Sequence, residues 1–315
     1  MKALTPLQYS QTSTLQHFYT MIKTLDCNFL GESESIGAFL METEEGPILF
    51  ETGPHSTLPN LVKEINKYGY QKEDIKHVFL THIHFDHAGA AWAFAEHGAT
   101  IYLHPRGVKH MADPTRLYES AKRIYQDKMD FLWGKLNPIP MEQMVVPEDN
   151  ERVKIGKTKI RALYTPGHAT HHIAWEIGNV LIAGDVCGCK IDNGPVVPPC
   201  PPPDINIEDW SASIRRIKNK RYEAVYLTHF GRIENVKPHL VELEGCLKNW
   251  ANFIRPHYEN GASIEETVPK FLAYVEKQMR AAGTSDELIK KYEGANPPYM
   301  SVAGLFRYWH KKLNA

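Results

Sequence analysis

The chain lacks a surplus of charge of either sign. It carries 36 Lys and Arg against 37 Asp and Glu, and its formal net charge is −1. Proteins whose main partner is a nucleic acid usually carry a surplus of basic residues. The composition therefore predicts that the chain has no nucleic-acid partner.

Long apolar runs are also missing. Residues 1–7 do not form the continuous apolar stretch of a secretory signal. No window approaches the roughly 20 apolar residues that a helix needs to cross a bilayer. We therefore expect no membrane partner.

Cysteine is scarce and is not arranged as a disulfide framework. The chain has five cysteines, an odd number for 315 residues, at scattered positions. They are Cys27, Cys187, Cys189, Cys200 and Cys246. Intracellular proteins keep such cysteines reduced. This pattern predicts a cytoplasmic protein, and the hydrophobic fraction of 43% is enough for a sizeable core.

The densest chemical feature is the stretch from 81 to 89, which reads THIHFDHAG. Histidine stands at 82, 84 and 87 and aspartate at 86, directly after the apolar run 77–80. A strand that leads into a turn would present these side chains at its carboxyl end. Imidazole nitrogens and carboxylate oxygens suit zinc, iron or manganese. A polar loop that is merely rich in histidine is the alternative, but the HxHxDH spacing favours a metal site.

Three further segments place a histidine or an aspartate just beyond a short apolar strand. His168 follows the strand that ends at 164, Asp185 follows the strand that ends at 182, and His229 follows the strand that ends at 227. Several strand ends that meet at one rim commonly build a functional site. We expect these side chains to join the histidine-rich stretch.

Apolar periodicity predicts the other elements. Residues 36–41 and 48–51 form a predicted hairpin around Gly46-Pro47. Residues 1–12 are predicted to be a loose polar start. Further strands are expected at 17–25, 100–103, 152–155, 159–164, 172–177, 180–183 and 224–227. Helices are expected at 58–65, 88–97, 207–221, 240–258, 266–282, 286–292 and 300–312.

Two segments stand apart from this pattern. Residues 105–136 form a predicted helical insertion that could lie over a pocket, although simple packing would explain the same spacing. Residues 195–203 contain so many prolines that they must form a stiff extended loop. That loop is either a linker or a wall of the pocket near Asp185.

These motifs, taken in order, resemble the metallo-β-lactamase superfamily over residues 36–229. The resemblance implies an α+β fold, a four-layer αββα sandwich, with a helical C-terminal extension. It divides the chain into a catalytic domain at 1–238, which includes the insertion, and the extension at 239–315.

The resemblance also implies a site for two divalent metal ions, with zinc expected first and iron or manganese as alternatives. His82, His84 and His168 would hold one ion, while Asp86, His87 and His229 would hold the other. Asp185 would bridge them. Asp86 would also be catalytic, because it could orient the attacking hydroxide or carry its proton.

The implied activity is hydrolysis. A hydroxide that bridges the metals would attack a small ester, thioester or lactone, as in the glyoxalase-type and lactonase-like branch. Flavodiiron proteins typically carry glutamate at the position of His84, and β-lactamases typically lack a residue like Asp185. Three alternatives remain: a mononuclear iron dioxygenase of a sulfur substrate, a phosphodiesterase, and a non-catalytic metal-binding scaffold.

Several residues depart from the family pattern or lie near it. Glu51 stands where aspartate is usual, and with a shifted backbone it could still support a ligand histidine. His55, His171, His172 and Cys187 are nearby but are not expected to be ligands. The apolar side chains of the tail are expected to cover the body of the protein or to form a homodimer contact.

Overall fold

The computed structural model describes residues 22–314, and within them the strands form two six-stranded sheets. The predicted polar start at 1–12 and the first part of the predicted strand at 17–25 lie outside these residues. Within the same range, no helix has both the length and the apolar character that a membrane span requires.

The first sheet follows the order of the chain. Its strands are β1 (Ile22–Asp26), β2 (Gly37–Thr43), β3 (Gly46–Phe50), β4 (His77–Phe79), β5 (Thr100–Tyr102) and β6 (Met144–Val145). The first three strands are antiparallel, and β3 to β6 run parallel. The predicted hairpin is confirmed as β2 and β3.

The second sheet comes from the later part of the chain. Its strands are β7 (Arg152–Ile155), β8 (Thr158–Tyr164), β9 (Ile173–Ile177), β10 (Val180–Ile182), β11 (Ala224–Leu227) and β12 (Gly231–Ile233). Only β10 and β11 pair in parallel. The short strands β6 and β12 were not predicted, because two or three residues are too few to show an alternation of apolar and polar side chains.

The two sheets pack face to face, which the alternation of side chains along each strand explains. Aromatic side chains fill the space between them, namely Phe39, Phe50, Phe79, Trp175 and Tyr226. Their neighbours in sequence point the other way, toward the helices: Leu40, Leu49 and Val78 in the first sheet, and Ala174 and Val225 in the second. Both faces of each sheet are therefore buried.

Helices cover the outer faces and complete the predicted αββα sandwich. Those of the first half are α1 (Leu58–Asn66), α2 (Phe85–Ala88), α3 (Ala91–Ala95), α4 (Pro105–Ala112), α5 (Thr115–Tyr125) and α6 (Met129–Trp133). The last three form the predicted helical insertion. The prediction of a single helix at 88–97 is wrong. The chain turns between α2 and α3, where the Ala90 amide donates to the Gly53 carbonyl at 3.0 Å.

The later helices are α7 (Ile207–Lys218), α8 (Val236–Glu259), α9 (Ile264–Ala281), α10 (Asp286–Ala295) and α11 (Pro298–Leu313). A capping box of Ser263 and Glu266 starts α9. Pro269 lies inside that helix, which begins two residues before the expected start at 266.

The C-terminal helices share one hydrophobic core with the outer face of the second sheet. Phe271, Val275, Leu305 and Trp309 are all buried there. The apolar side chains of the tail therefore cover the body of the same chain. The division at residue 238 and a homodimer contact stay predictions.

The proline-rich segment, residues 195–203, lies between α11 and the rest of the protein. Asn296 donates from Nδ2 to the Pro198 carbonyl at 3.3 Å, and Arg307 donates from Nε to the Pro203 carbonyl at 3.1 Å. Gly304 brings the helix against the segment, since a Cβ there would lie 2.0 Å from the Cys200 oxygen.

Replacement of Gly304 by alanine should therefore destabilise the protein by about 1–3 kcal/mol, the usual cost of overpacking a rigid contact. Gly245 in α8 offers a matched control, because a Cβ there meets nothing within 4 Å. We expect Gly245→Ala to keep or slightly raise the melting temperature. Equal melting temperatures for the two variants, measured by calorimetry, would contradict the close packing of α11.

Candidate metal centre

The seven predicted ligands come from the carboxyl ends of four strands. His82, His84, Asp86 and His87 follow β4, and the others follow β8, β10 and β11. Three groups result, in each of which the possible ligand atoms lie within 4.8 Å of one another. They are His82, His84 and His168; His82, His87 and Asp185; and Asp86, His87 and His229.

The first group is a triangle of imidazole nitrogens. His84 Nδ1 lies 3.0 Å from His82 Nε2 and 3.1 Å from His168 Nε2. The rings of His82 and His168 are buried. Three nitrogens that converge at this separation suit a cation that accepts their lone pairs.

The third group contains the carboxylate of Asp86. Asp86 Oδ2 lies 3.3 Å from His229 Nε2 and 3.7 Å from His87 Nε2. The side chain of Asp86 is 22% exposed, whereas those of His87 and His229 are 0% and 2% exposed. Solvent therefore reaches the centre at Asp86, and also at His84, which is likewise only partly buried.

Asp185 lies between the first and the third of these groups. Its Oδ1 is 3.3 Å from His87 Nε2 and 3.7 Å from His229 Nε2, while its Oδ2 is 3.4 Å from His168 Nε2. The two oxygens of one buried carboxylate thus face different groups of histidines. This is the arrangement that a bridging ligand requires.

Hydrogen bonds outside the centre orient three of the histidine rings through Nδ1. His168 donates to the Pro199 carbonyl at 2.8 Å and His229 to the Ser35 carbonyl at 2.7 Å. His82 Nδ1 lies 3.0 Å from the Thr81 hydroxyl oxygen. Because a carbonyl can only accept, the hydrogen is on Nδ1 in His168 and His229, and Nε2 is free for a metal.

Glu51 supports His87 although it replaces the usual aspartate. Its Oε1 accepts the Thr81 amide at 3.2 Å, and its Oε2 lies 3.5 Å from His87 Nδ1. Glu51 adopts a φ of 62°, in the left-handed region that non-glycine residues seldom occupy. In this conformation the Glu51 carboxylate lies beside the His87 ring.

The electrostatics of the cluster favour a bound cation. Burial opposes ionisation of Asp185, but His87, His168 and His229 outweigh it and hold its pKa well below its usual range. Burial also lowers the pKa of His82 strongly and that of His84 to about 4, so both rings are neutral donors of lone pairs at neutral pH.

The same residues leave buried polar atoms without a protein partner. Within residues 22–314, His87 Nε2 and Asp185 Oδ1 are buried and make no hydrogen bond. Orphaned polar atoms in an interior are costly unless an ion or water satisfies them. Although burial opposes it, the carboxylates around His87 and His229 raise the pKa of both rings, so a cation that binds there takes the place of a proton. The pKa of His168 is lowered by burial, as are those of His82 and His84. This set of imidazoles and ionised carboxylates fits one or two divalent cations.

The nearby residues that were not expected to be ligands stay outside the three groups. They are His55, His171, His172 and Cys187. Burial raises the pKa of Cys187, which keeps the thiol neutral. His55 instead contacts the insertion, where its Nδ1 accepts the Lys135 amide at 3.1 Å.

Other contributors were not foreseen. The carbonyls of Ser35 and Pro199 orient ligand rings, but any residue could supply a carbonyl, so no sequence signal marks them. Tyr125 and Trp133 of the insertion lie near Phe85. In the sequence, Phe85 stands between two of the predicted ligands. Their aromatic character was the only signal available.

Comparison with known proteins identifies the family. The model of the metallo-beta-lactamase superfamily matches residues 35–229. The chain belongs to this superfamily. Among solved structures, a metallo-beta-lactamase family protein from Thermus thermophilus superimposes with a TM-score of 0.65 and 19% identity, covering 92% of this chain and 93% of that one. That likeness establishes the shared fold.

Curated relatives match a part of the chain. A metallo-beta-lactamase fold-containing protein of Sulfurisphaera tokodaii is 27% identical over 51% of this chain and 62% of its own length. An N-acyl homoserine lactonase of Bacillus cereus is 27% identical over 44% of this chain and 56% of its own length. The chain thus spans about three fifths of these relatives.

Metal content tests the role of Asp185. We expect the purified wild-type protein to hold two divalent ions per chain, and Asp185→Ala to hold about one, because the bridging carboxylate serves both groups. Cys187→Ala is the matched control two residues away and should keep both ions. Elemental analysis would contradict this assignment if Asp185→Ala retained the full content or if Cys187→Ala lost an ion.

Proposed function

We propose that this protein is a binuclear metal-dependent hydrolase of a small carboxylic ester, thioester or lactone. The observation that carries the proposal is the position of Asp185, whose two carboxylate oxygens face separate groups of histidines at 3.3 Å and 3.4 Å. A carboxylate with one oxygen toward each group can be shared by two ions.

Similarity to other proteins supports the same reaction class. Besides the Bacillus cereus protein, an N-acyl homoserine lactonase of Bacillus thuringiensis is 26% identical over 49% of this chain and 65% of its own length. Lactone opening is attack on a carbonyl carbon, as are ester and thioester hydrolysis. The proposal covers this shared chemistry and does not extend to the particular lactone of the relatives.

The metal ions and the protein residues would have separate roles in the reaction. When bound, two divalent ions at such a centre supply Lewis acidity and activate water for attack on a carbonyl carbon. Zinc is the first expectation, and iron or manganese would suit the same donors. His82, His84 and His168 would hold one ion, Asp86, His87 and His229 the other, and Asp185 both.

Asp86 would be the general base that accepts a proton from the attacking water. His87 and His229 overcome the effect of burial and lower the pKa of Asp86 to about 2, so its carboxylate is ionised at neutral pH. Its Oδ2 faces His87 and His229, and its Oδ1 has no protein partner in the part of the chain that the structure describes. The free oxygen can orient a water molecule and accept its proton.

Hydrolysis can be tested with metal-loaded protein and a panel of nitrophenyl esters, thioesters, lactones and phosphodiesters. We expect turnover of carboxylic substrates. Asp86→Asn should lower kcat at least 100-fold, since loss of a positioned base usually costs 10²–10⁴-fold. Asp130→Asn, on the exposed side of α6, should leave kcat unchanged.

The alternative functions give different results in the same experiment. Oxygen uptake with a sulfur substrate and one iron per chain would indicate a dioxygenase. Turnover of phosphodiesters alone would indicate a phosphodiesterase. Full metal content without turnover of any substrate would indicate a metal-binding scaffold, and each of these three results would overturn the proposal.

A further inference from the structure

An aromatic cluster joins the insertion to α2, the helix that carries Asp86 and His87. Its members are Phe29, Phe85, Tyr125 and Trp133. The Trp133 ring centroid lies 5.5 Å from that of Phe29, 5.8 Å from that of Phe85 and 5.2 Å from that of Tyr125. Phe85 stands between His84 and Asp86 in the chain. The cluster is therefore tied to the segment that carries three of the predicted ligands, His84, Asp86 and His87.

The insertion is anchored firmly enough to define this position. The Lys135 amide donates to His55 at 3.1 Å, and Trp92 donates from Nε1 to the Lys135 carbonyl at 3.2 Å. Ser56 donates from its hydroxyl to the Leu132 carbonyl at 2.6 Å. The end of α6, which carries Trp133, is thus tied to the loop that follows Gly53.

Tyr125 differs from the other members because it brings a hydroxyl group. Within residues 22–314 this hydroxyl has no hydrogen-bond partner, although most of the side chain is removed from water. Burial raises the pKa of Tyr125, and the nearby Tyr299 and Asp86 raise it further, so the hydroxyl keeps its proton. A protonated phenol without a partner is a free hydrogen-bond donor.

The backbone holds Tyr125 at the end of its helix. The next residue, Gln126, adopts φ 50° and ψ −122°, a conformation that costs energy for a residue other than glycine. Strain of this kind persists where surrounding contacts enforce it. Here it ends α5 and turns the chain immediately after Tyr125.

Exposed apolar side chains lie in the same segments as members of the aromatic cluster. Phe131 is 70% exposed and Ile124 is 42% exposed, and both belong to the insertion. Leu30, next to Phe29, is 49% exposed. Exposed apolar side chains beside a site commonly mark where an apolar part of a ligand binds.

We propose that Tyr125 is a substrate-binding residue, whose hydroxyl donates a hydrogen bond to an oxygen of the substrate, while the aromatic cluster holds an extended apolar group of the same molecule and sets the preference among substrates. This inference rests on the proposed hydrolase function and narrows the substrate class. The substrate is a carboxylic ester, thioester or lactone that carries an alkyl chain or an aromatic group.

Tyr118 provides a matched control for Tyr125. It is a tyrosine of the same helix, but its hydroxyl already donates to Asp130 Oδ1 at 2.8 Å. Replacement of either residue by phenylalanine keeps the ring and removes one oxygen. Only Tyr125→Phe should therefore lower kcat/KM for the substrate.

The test compares wild type, Tyr125→Phe and Tyr118→Phe on 4-nitrophenyl acetate, butyrate and octanoate. We expect wild-type kcat/KM to rise with chain length. Tyr125→Phe should lower kcat/KM about tenfold on all three esters, with metal content unchanged. The loss of one hydrogen bond to the substrate typically costs the free energy that corresponds to a tenfold change. Trp133→Leu should reduce the preference for octanoate over acetate, and Tyr118→Phe should match the wild type.

Two results would overturn the inference. One is equal kcat/KM for Tyr125→Phe and Tyr118→Phe on every ester. The other is loss of metal from Tyr125→Phe, which would show a structural role.

If the wild type hydrolyses no ester, the proposed function fails, and octanoate binding measured by calorimetry then tests this inference alone. About tenfold weaker binding to Tyr125→Phe would support it, and equal binding would contradict it.

Discussion

The structure depends on one electrostatic constraint, the burial of carboxylates among imidazoles. Glu51 and Asp185 are almost fully excluded from water, and His82, His87 and His229 are buried around them. Isolated charges in an interior are strongly destabilising unless they are paired or bind an ion. A divalent cation held by Asp185 and the histidines offsets this cost for Asp185, so the folded arrangement and the capacity to bind metal have one origin.

The surrounding fold is arranged to keep this cluster in place. Two sheets with apolar faces on both sides end their strands at the same rim, and the loops there carry the ligands. The proline-rich segment supplies the carbonyl of Pro199 to His168, and α11 packs closely on that segment. The C-terminal helices therefore reach the metal centre through two successive contacts, although they contribute none of the predicted ligands.

Most of the site could be predicted from the sequence because its chemistry is local. The HxHxDH spacing places four polar side chains after one strand, and His168, Asp185 and His229 each follow another. What could not be predicted depends on the backbone. The carbonyl of Ser35, the left-handed conformation of Glu51 and the turn that separates α2 from α3 are set by tertiary contacts that no side-chain pattern records. The role of Tyr125 likewise required the position of the insertion relative to Asp86.

The central claim is that two cations share Asp185. A crystal structure with anomalous diffraction data at the absorption edge of the bound metal tests it most directly. The account predicts two anomalous peaks, one among His82, His84 and His168 and one among Asp86, His87 and His229, with Asp185 in contact with both. A single peak, or a peak held by His171 or Cys187, would contradict it.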